Sequence, residues 1–367
     1  MTAPKVFIFA PADKDGETHR QLEDAGCELV FGKASWETPQ GHNEPEIADM
    51  ARGADALMGT SIRSSPITRR IMQSSERLRI VAKYTIGVDD VDVEAATDLG
   101  ILVTHSPTES NWGGVAEGTI AMMLCLLKRL RERDAHLKAG GPWRDQRLEG
   151  RYVGRREEDG YQGLVLGLVG LGRIGRRVAR LLQGWDLRIL ACDPYVPDEV
   201  FAAAGVQRTD YHSLLREADV VSFHVVLTRE TRHMLGAAEL ALMKRDAVLL
   251  NTSRGSVVDE AALVRALQTG QIAAAGLDVF EDEPLAADSP LRRLGDRVLL
   301  SPHMISSNVG SGLKPGIAWA TRSVLAALRG EVPDNVFNTA VIPRWQQRFG
   351  GQDVFTDQPA RVPQLLT

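Results

Sequence analysis

Residues 165–182 read VLGLVGLGRIGRRVARLL. The apolar run VLGLV leads into Gly170, Gly172 and Gly175, and a basic segment with spaced apolar residues follows. A short apolar run bounded by glycine is typical of a buried strand, and the later periodicity is typical of a helix. The stretch therefore predicts a strand, a tight turn and a helix.

The same rhythm of short apolar runs and helical patterns continues on both sides of this stretch. Runs that predict strands are KVFIFA, CELVF, DALMG, LRIVAKY and ILVTH before it, and LRILACD, DVVSFHV, DAVLLN, IAAAGLDVF and RVLLSPH after it. Such alternation predicts an α/β fold with parallel sheets, and its two successive blocks predict two Rossmann-like domains. A chain of 367 residues is long enough for both.

The composition is that of an ordinary globular protein. Apolar residues make up 44% and charged residues 25%, and the formal net charge of −5 gives no case for a nucleic-acid partner. Cys27, Cys125 and Cys192 lack CxxC or metal-ligand spacing, which predicts reduced thiols and no metal site. The apolar run IAMMLCLL at 120–127 is too short for a membrane span, and the N-terminus lacks a signal-peptide pattern. We therefore expect a cytoplasmic protein without a membrane partner.

The glycine spacing at 170–175 is that of a dinucleotide-binding turn. The first glycine permits the tight turn, the second lets backbone approach a pyrophosphate, and the third lets helix and strand pack closely. The next predicted strand ends in Asp193, where a carboxylate can bond the ribose hydroxyls of an adenosine. Its charge disfavours a 2′-phosphate and no arginine follows directly, so the sequence favours NAD(H) over NADP(H).

Three ionisable residues follow later predicted strands. Arg254 comes after AVLLNTS, Glu283 lies in LDVFEDEP, and His303 ends VLLSPH. Because ligands of open α/β sheets bind at the carboxyl ends of strands, all three are predicted to face one crevice. Taken separately, Arg254 could form a surface ion pair, Glu283 could be a loop acid, and His303 could be satisfied within the core. Because all three occur in the same predicted unit as the glycine turn, the sequence favours a shared functional site for them.

Six ordered motifs resemble those of the D-isomer-specific 2-hydroxyacid dehydrogenases, a family that includes phosphoglycerate dehydrogenase, glyoxylate and hydroxypyruvate reductases and D-lactate dehydrogenase. They are IGVDDVD, NWGGVAE, VGLGRIG, NTSRGSVVDE, GLDVFEDEP and SPH, and the resemblance extends from about Lys5 to Asn338. It implies an NAD-dependent enzyme that interconverts a 2-oxo acid and a D-2-hydroxy acid. Arg254 would hold the substrate's carboxylate and carbonyl oxygen, His303 would be the general acid/base, and Glu283 would hydrogen-bond the imidazole.

The resemblance also implies the binding residues. Those expected to bind cofactor are Gly170, Gly172, Arg173, Ile174, Gly175, Asp193, Val225, Thr252, Ser253, Arg254, Asp278 and His303. Ile86 and Gly87 would meet the substrate's carboxylate through their backbone, with the side chains of Lys83 and Tyr84 near the same pocket and Asn111 as a further polar contact. Lys83 could instead be a surface charge at a strand end. If it faces the pocket, it favours a substrate with a second anionic group.

The family's split topology predicts a flavodoxin-like substrate domain of residues 1–110 and 304–340, an NAD-binding domain of residues 111–303, and a cleft between them. Residues 341–367 are expected to form a loosely ordered tail. A helical pattern from about Val115 to Lys138, ended by Gly140, Gly141 and Pro142, resembles the family's dimerisation arm and predicts a homodimer.

Three features depart from the family's pattern. Val226 stands where proline is usual, and His105 replaces a common asparagine in a segment that is one residue longer than usual. Ser306 and Asn308, in the run HMISSN, predict an unusual pocket together with Trp112.

Two alternative functions remain open. An NAD-sensing corepressor shares this fold, but it would need a peptide-binding surface that the sequence does not show. A formate- or phosphonate-type dehydrogenase would share the hydride chemistry. Formate enzymes of the family usually carry glutamine where Glu283 stands, which argues against that version.

Overall fold

The computed structural model describes residues 3–12, 17–33, 42–61, 66–309 and 312–355. The chain divides into two compact units, one of Met1–Asn111 with Asn308–Thr367 and the other of Trp112–Ser307. The expected division after residue 303 therefore lies four residues before the observed one. Residues 304 and 305 stay with the second unit because their backbone amides donate to the Asp278 carboxylate.

The first unit is built on a parallel sheet. Its elements are β1 (Lys5–Ala10), α1 (Glu17–Asp24), β2 (Glu28–Phe31), α2 (Glu44–Ala51), β3 (Ala56–Gly59), α3 (Arg69–Gln73), β4 (Ile80–Lys83), α4 (Val93–Leu99) and β5 (Leu102–Thr104). The strand order is β2-β1-β3-β4-β5, and the central strands are buried on both faces because helices cover the sheet.

The second unit opens with two helices and continues with a larger parallel sheet. Its elements are α5 (Glu109–Leu127), α6 (Leu130–Lys138), β6 (Val165–Val169), α7 (Arg173–Leu181), β7 (Arg188–Cys192), α8 (Asp198–Ala204), β8 (Gln207–Arg208), α9 (Tyr211–Glu217), β9 (Val220–Phe223), α10 (Ala237–Leu240), β10 (Val248–Asn251), α11 (Glu260–Thr269), β11 (Ala274–Leu277) and β12 (Val298–Leu300). The strand order is β12-β11-β10-β9-β6-β7-β8. The chain moves outward from β6 in one direction and then returns to lay β9 on its other side. This reversal makes the carboxyl ends of β6 and β9 the switch point at which such sheets bind ligands.

The strands predicted from apolar runs are all present and parallel, which confirms the predicted fold. β8 was not predicted. It has only two residues, Gln207 and Arg208, both exposed, so no apolar run marks it.

The helix expected from about Val115 to Lys138 is two helices. Arg129 adopts a left-handed conformation (φ 53°) between α5 and α6, and its guanidinium bonds the Arg147 carbonyl and Glu132. The apolar side chains of α5, including Met122 and Leu126, pack inside their own unit. None of the helices in the described ranges combines the length and hydropathy that a membrane crossing requires.

The expected tail is ordered in its first part. After α12 (Lys314–Leu328), residues Ile342–Phe349 form α13 on the first unit. Trp345 is fully buried, and its indole N–H donates to the Arg79 carbonyl at 2.9 Å. The composition suggested disorder, but one large aromatic side chain with a satisfied N–H fixes this helix. Residues 356–367 lie outside the described ranges.

Replacing Trp345 by alanine should lower the free energy of unfolding by about 3–5 kcal/mol, because the substitution leaves a cavity beneath α13. Circular dichroism with denaturant measures the change. Trp185→Ala is the matched control, since Trp185 is 40% exposed. Equal losses for the two variants would contradict the assigned role of Trp345.

Candidate active site

The turn after β6 requires glycine at two close approaches. Gly170 has φ 98°, and an added Cβ would lie 2.7 Å from the His224 carbonyl oxygen. At Gly175 an added Cβ would lie 2.3 Å from the Gly170 oxygen, so only glycine lets α7 begin this close to the strand. At Gly172 an added Cβ would meet no atom of the described chain within 4 Å. The open side of the turn therefore faces the first N–H groups of α7, an arrangement that suits a phosphate.

Asp193 lies beside this turn at the end of β7. Its carboxylate accepts the Leu171 N–H at 2.8 Å and the Tyr195 N–H at 3.0 Å. These bonds orient a half-buried carboxylate, which still has acceptor sites for ribose hydroxyls. The residues present here fit the adenosine half of NAD(H).

Other predicted cofactor residues follow neighbouring strands. Val225 is half-buried after β9, and Thr252 and Ser253 follow β10. The Thr252 hydroxyl lies 2.8 Å from that of Thr119, and the Ser253 hydroxyl donates to Asn251. Both hydroxyl groups therefore bond within the protein, and a cofactor would meet the backbone of this loop.

Asp278, at the end of β11, is buried and accepts the amides of Met304 and Ile305 at 3.0 and 3.2 Å. Burial raises the pKa of the Asp278 carboxyl, while a bond from Ser301 and the charge of His303 oppose the rise. Asp278 thus braces the segment that follows His303.

Arg254 is positioned by a close packing of two loops. The Asn251 side chain donates to the Arg254 carbonyl at 3.0 Å, and the guanidinium bonds the Ser253 carbonyl at 2.7 Å. A Cβ added at Gly255 would lie 1.9 Å from the Phe280 carbonyl group. The loop that bears Arg254 therefore lies directly against the loop that leads to Glu283.

The structure brings Glu283 and His303 together. Nδ1 of His303 lies 2.8 Å from Oε2 of Glu283, whose other oxygen accepts the Phe280 N–H at 3.0 Å. An ionised carboxylate only accepts, so Nδ1 carries the proton and Nε2 is the nitrogen on the opposite side of the ring. His303 has φ 55°, a conformation that non-glycine residues seldom adopt and that is concentrated at functional sites.

In the first unit, the loop after β4 has its carbonyl groups engaged. The Lys83 carbonyl accepts from the Ser106 hydroxyl (2.7 Å), and the Thr85 carbonyl accepts from the Ser106 amide (2.9 Å). The Ile86 carbonyl lies 3.2 Å from Nδ1 of His105, and the Gly87 carbonyl accepts from the Thr85 hydroxyl (3.1 Å). Within the part of the chain that the structure describes, the amides of Ile86 and Gly87 have no hydrogen-bond partner. Half-buried backbone N–H groups without a partner in the described chain can receive an anion.

The predicted side-chain contacts of Lys83 and Tyr84 with substrate are not supported. Lys83 is fully buried, and its ammonium lies 2.6 Å from Asp90 and 2.8 Å from the Thr60 carbonyl, so it is neither a surface charge nor a pocket residue. Burial lowers the pKa of this ammonium, and Asp90 opposes the shift. Tyr84 is 1% exposed and packs in the core with Ile317.

The remaining singled-out residues are spread over both units. Asn111 is half-buried in the first turn of α5, Trp112 stacks with Arg177 at 5.9 Å, and Val226 is 72% exposed. Ser306 is half-buried in the second unit, whereas Asn308 is exposed in the first.

Sequence reasoning missed two residues near these sites. Asp90 was not identified, because the sequence gives no sign that Lys83, at the end of a strand, pairs with a carboxylate seven residues later. His224 follows β9 at the switch point, and burial lowers its pKa to about 4, so its imidazole is neutral at pH 7. Its position directly after a predicted strand was the available signal.

Residues 120–304 match the family described as D-isomer specific 2-hydroxyacid dehydrogenase, NAD binding domain. A glyoxylate reductase of Korarchaeum cryptofilum is 37% identical over 348 residues, which cover 92% of this chain and 97% of that protein. A D-3-phosphoglycerate dehydrogenase of Methanocaldococcus jannaschii is 37% identical over 94% of this chain, but the match spans only 61% of that longer protein.

A solved structure has a similar fold. The D-lactate dehydrogenase from Aquifex aeolicus, complexed with NAD and lactic acid, matches with a TM-score of 0.75 and 28% identity. The match covers 89% of this chain and 96% of that one.

Proposed function

The chain belongs to the D-isomer specific 2-hydroxyacid dehydrogenase family, and we propose that Arg254, His303 and Glu283 carry out its chemistry. It is an NAD-dependent oxidoreductase that interconverts a 2-oxo acid and a D-2-hydroxy acid. Bound NADH supplies a hydride to the substrate's carbonyl carbon. The observation that carries the proposed roles is the 2.8 Å contact between His303 and Glu283 in the unit that also bears Arg254.

Arg254 and His303 act on the carbonyl oxygen, and Glu283 supports His303. Negative charge grows there during reduction, and the planar guanidinium of Arg254 stabilises it while also holding the carboxylate. Nε2 of protonated His303 donates the proton that completes the hydroxyl group. Glu283 accepts from Nδ1 and so fixes the orientation of the imidazole ring. In the oxidation direction, neutral His303 accepts the hydroxyl proton.

The loop 84–89 supplies the second anchor for the substrate. The amides of Ile86 and Gly87 bind the carboxylate, and Asn111 adds a polar contact. Because Lys83 is paired with Asp90, it provides no charge for a second anionic group. We therefore propose a small 2-oxo acid such as glyoxylate, the substrate named for several relatives, rather than a phosphorylated one.

The protein is proposed to be a cytoplasmic homodimer. Leu130, Leu137, Trp143 and Tyr152 are 49–83% exposed on the segment from α6 onward, which is a surface that a second copy can cover. The cysteines Cys27, Cys125 and Cys192 are free thiols, as expected in a reducing compartment.

Reduction of a panel of 2-oxo acids, followed by the absorbance of NADH, tests the substrate and cofactor together. We expect activity with glyoxylate and a higher kcat/KM with NADH than with NADPH, because Asp193 repels a 2′-phosphate. Asp193→Asn should narrow this preference without abolishing activity. Asp186→Asn, which changes an exposed acid at the opposite end of β7 from Asp193, should leave the preference unchanged. An equal or reversed preference in the parent would exclude the role given to Asp193.

The pair of His303 and Glu283 predicts two different defects. His303→Ala should lose about 10² to 10⁴ in kcat while still binding NADH, because only the proton donor is removed. Glu283→Gln keeps the shape and one accepting oxygen, but its amide group can also donate, so Nδ1 is no longer fixed as the protonated nitrogen. We expect a smaller loss of kcat than in His303→Ala, with an unchanged Kd for NADH. Stopped assays of reduction measure kcat for both variants, and an unchanged kcat in Glu283→Gln would refute the role of Glu283.

Light scattering should give twice the 40.1 kDa chain mass. Trp143→Asp should shift the protein toward monomer, because it places a charge in the proposed interface. Tyr195→Asp is the control, since Tyr195 is similarly exposed (77%) on another surface. A monomeric parent protein would rule out the proposed dimer.

A further inference from the structure

Lys83 and Asp90 form a buried ion pair in the first unit. Both side chains are essentially without solvent exposure (0% and 1%), and Nζ lies 2.6 Å from Oδ2. The ammonium also donates to the Thr60 carbonyl and lies 5.0 Å from the centre of the Phe9 ring.

Such a pair is not needed for stability alone. The cost of removing two charges from water often equals or exceeds their attraction, so apolar side chains of similar volume can serve as well. A buried ion pair is better explained where it fixes one specific backbone geometry. Lys83 and Asp90 fix the geometry of a loop.

The pair closes the loop 84–89. Lys83 is the last residue of β4, and Asp90 is the first residue after the loop. The Asp90 carbonyl accepts the Ile67 amide at 2.7 Å, which ties this end of the loop to the chain before α3. The charges therefore join the two ends of the segment whose Ile86 and Gly87 amides are unpaired in the described structure.

We propose that Lys83 and Asp90 are positioning residues that hold the amides of Ile86 and Gly87 at the separation and angle that a substrate carboxylate requires. The proposal rests on the function proposed above for this loop. Donors that are fixed before the substrate arrives bind it without reorganisation. A loosened loop would weaken substrate binding more than the chemical step, because Arg254, Glu283 and His303 belong to the other unit.

The test compares Lys83→Met, Asp90→Asn and the double variant. Each single change strands one buried charge and should lower the melting temperature, whereas the double variant removes both charges and should recover part of the loss. The KM for the 2-oxo acid should rise about tenfold in all three variants, with a smaller change in kcat and an unchanged Kd for NADH.

Arg79→Met is the matched control. Arg79 is another buried cation of the same unit, 6% exposed, and its guanidinium donates to the carbonyls of Ala327, Leu328 and Gln352. Its loss should lower the melting temperature without raising KM.

The proposal is overturned if the double variant regains the parent KM, if Arg79→Met raises KM equally, or if the double variant does not fold.

A parent enzyme inactive on every 2-oxo acid would refute the proposed function instead. In that case, hydrogen exchange at the Tyr84 and Val91 amides still tests the pair. These amides bond Gly59 and Val88 at the two ends of the loop, and they should exchange faster in the Lys83 and Asp90 variants but not in Arg79→Met. Unchanged exchange would overturn the positioning role.

Discussion

Parallel pairing of the strands is the constraint on which the proposed chemistry depends. Because every strand of the second sheet runs in the same direction, the loops after β6, β7, β9, β10, β11 and β12 lie at one edge. The glycine turn, the proposed ribose-binding acid and the proposed catalytic side chains come from distant parts of the chain, yet the sheet alone brings them to that edge. The order of the strands then places the glycine turn at the switch point.

The sheet brings the loops to one edge, and close contacts between backbones then fix the positions of these loops relative to one another. A side chain at Gly175 would push α7 away from the turn, and one at Gly255 would separate the loop of Arg254 from that of Glu283. The relative position of the loops that bear Arg254 and Glu283 is thus set where the two backbones touch. Interiors packed at crystal-like density leave no room for even one methyl group at such contacts.

The sequence was sufficient for what depends on local pattern and insufficient for what depends on distant partners. Apolar runs predicted the strands, and the motifs identified the family. The burial of Lys83 could not be predicted, because the sequence around a lysine at a strand end does not show whether its ammonium is solvated or paired with a carboxylate such as Asp90. The break at Arg129 and the docking of Trp345 likewise depend on partners far along the chain, at Arg147 and Arg79. β8, with two exposed residues, leaves no apolar signal at all.

His303, the proposed acid–base residue, is held by two separate supports. Its positive φ costs about 1–2 kcal/mol relative to ordinary backbone, so the segment would relax unless other bonds held it. Asp278 holds the backbone through the amides of residues 304 and 305, and Glu283 holds the ring through Nδ1. The two carboxylates differ in setting, since Asp278 is buried whereas Glu283 remains partly exposed beside the imidazole. Backbone strain and side-chain orientation are therefore controlled separately: a change at Glu283 releases the imidazole ring, while Asp278 still holds the backbone of the segment that follows His303.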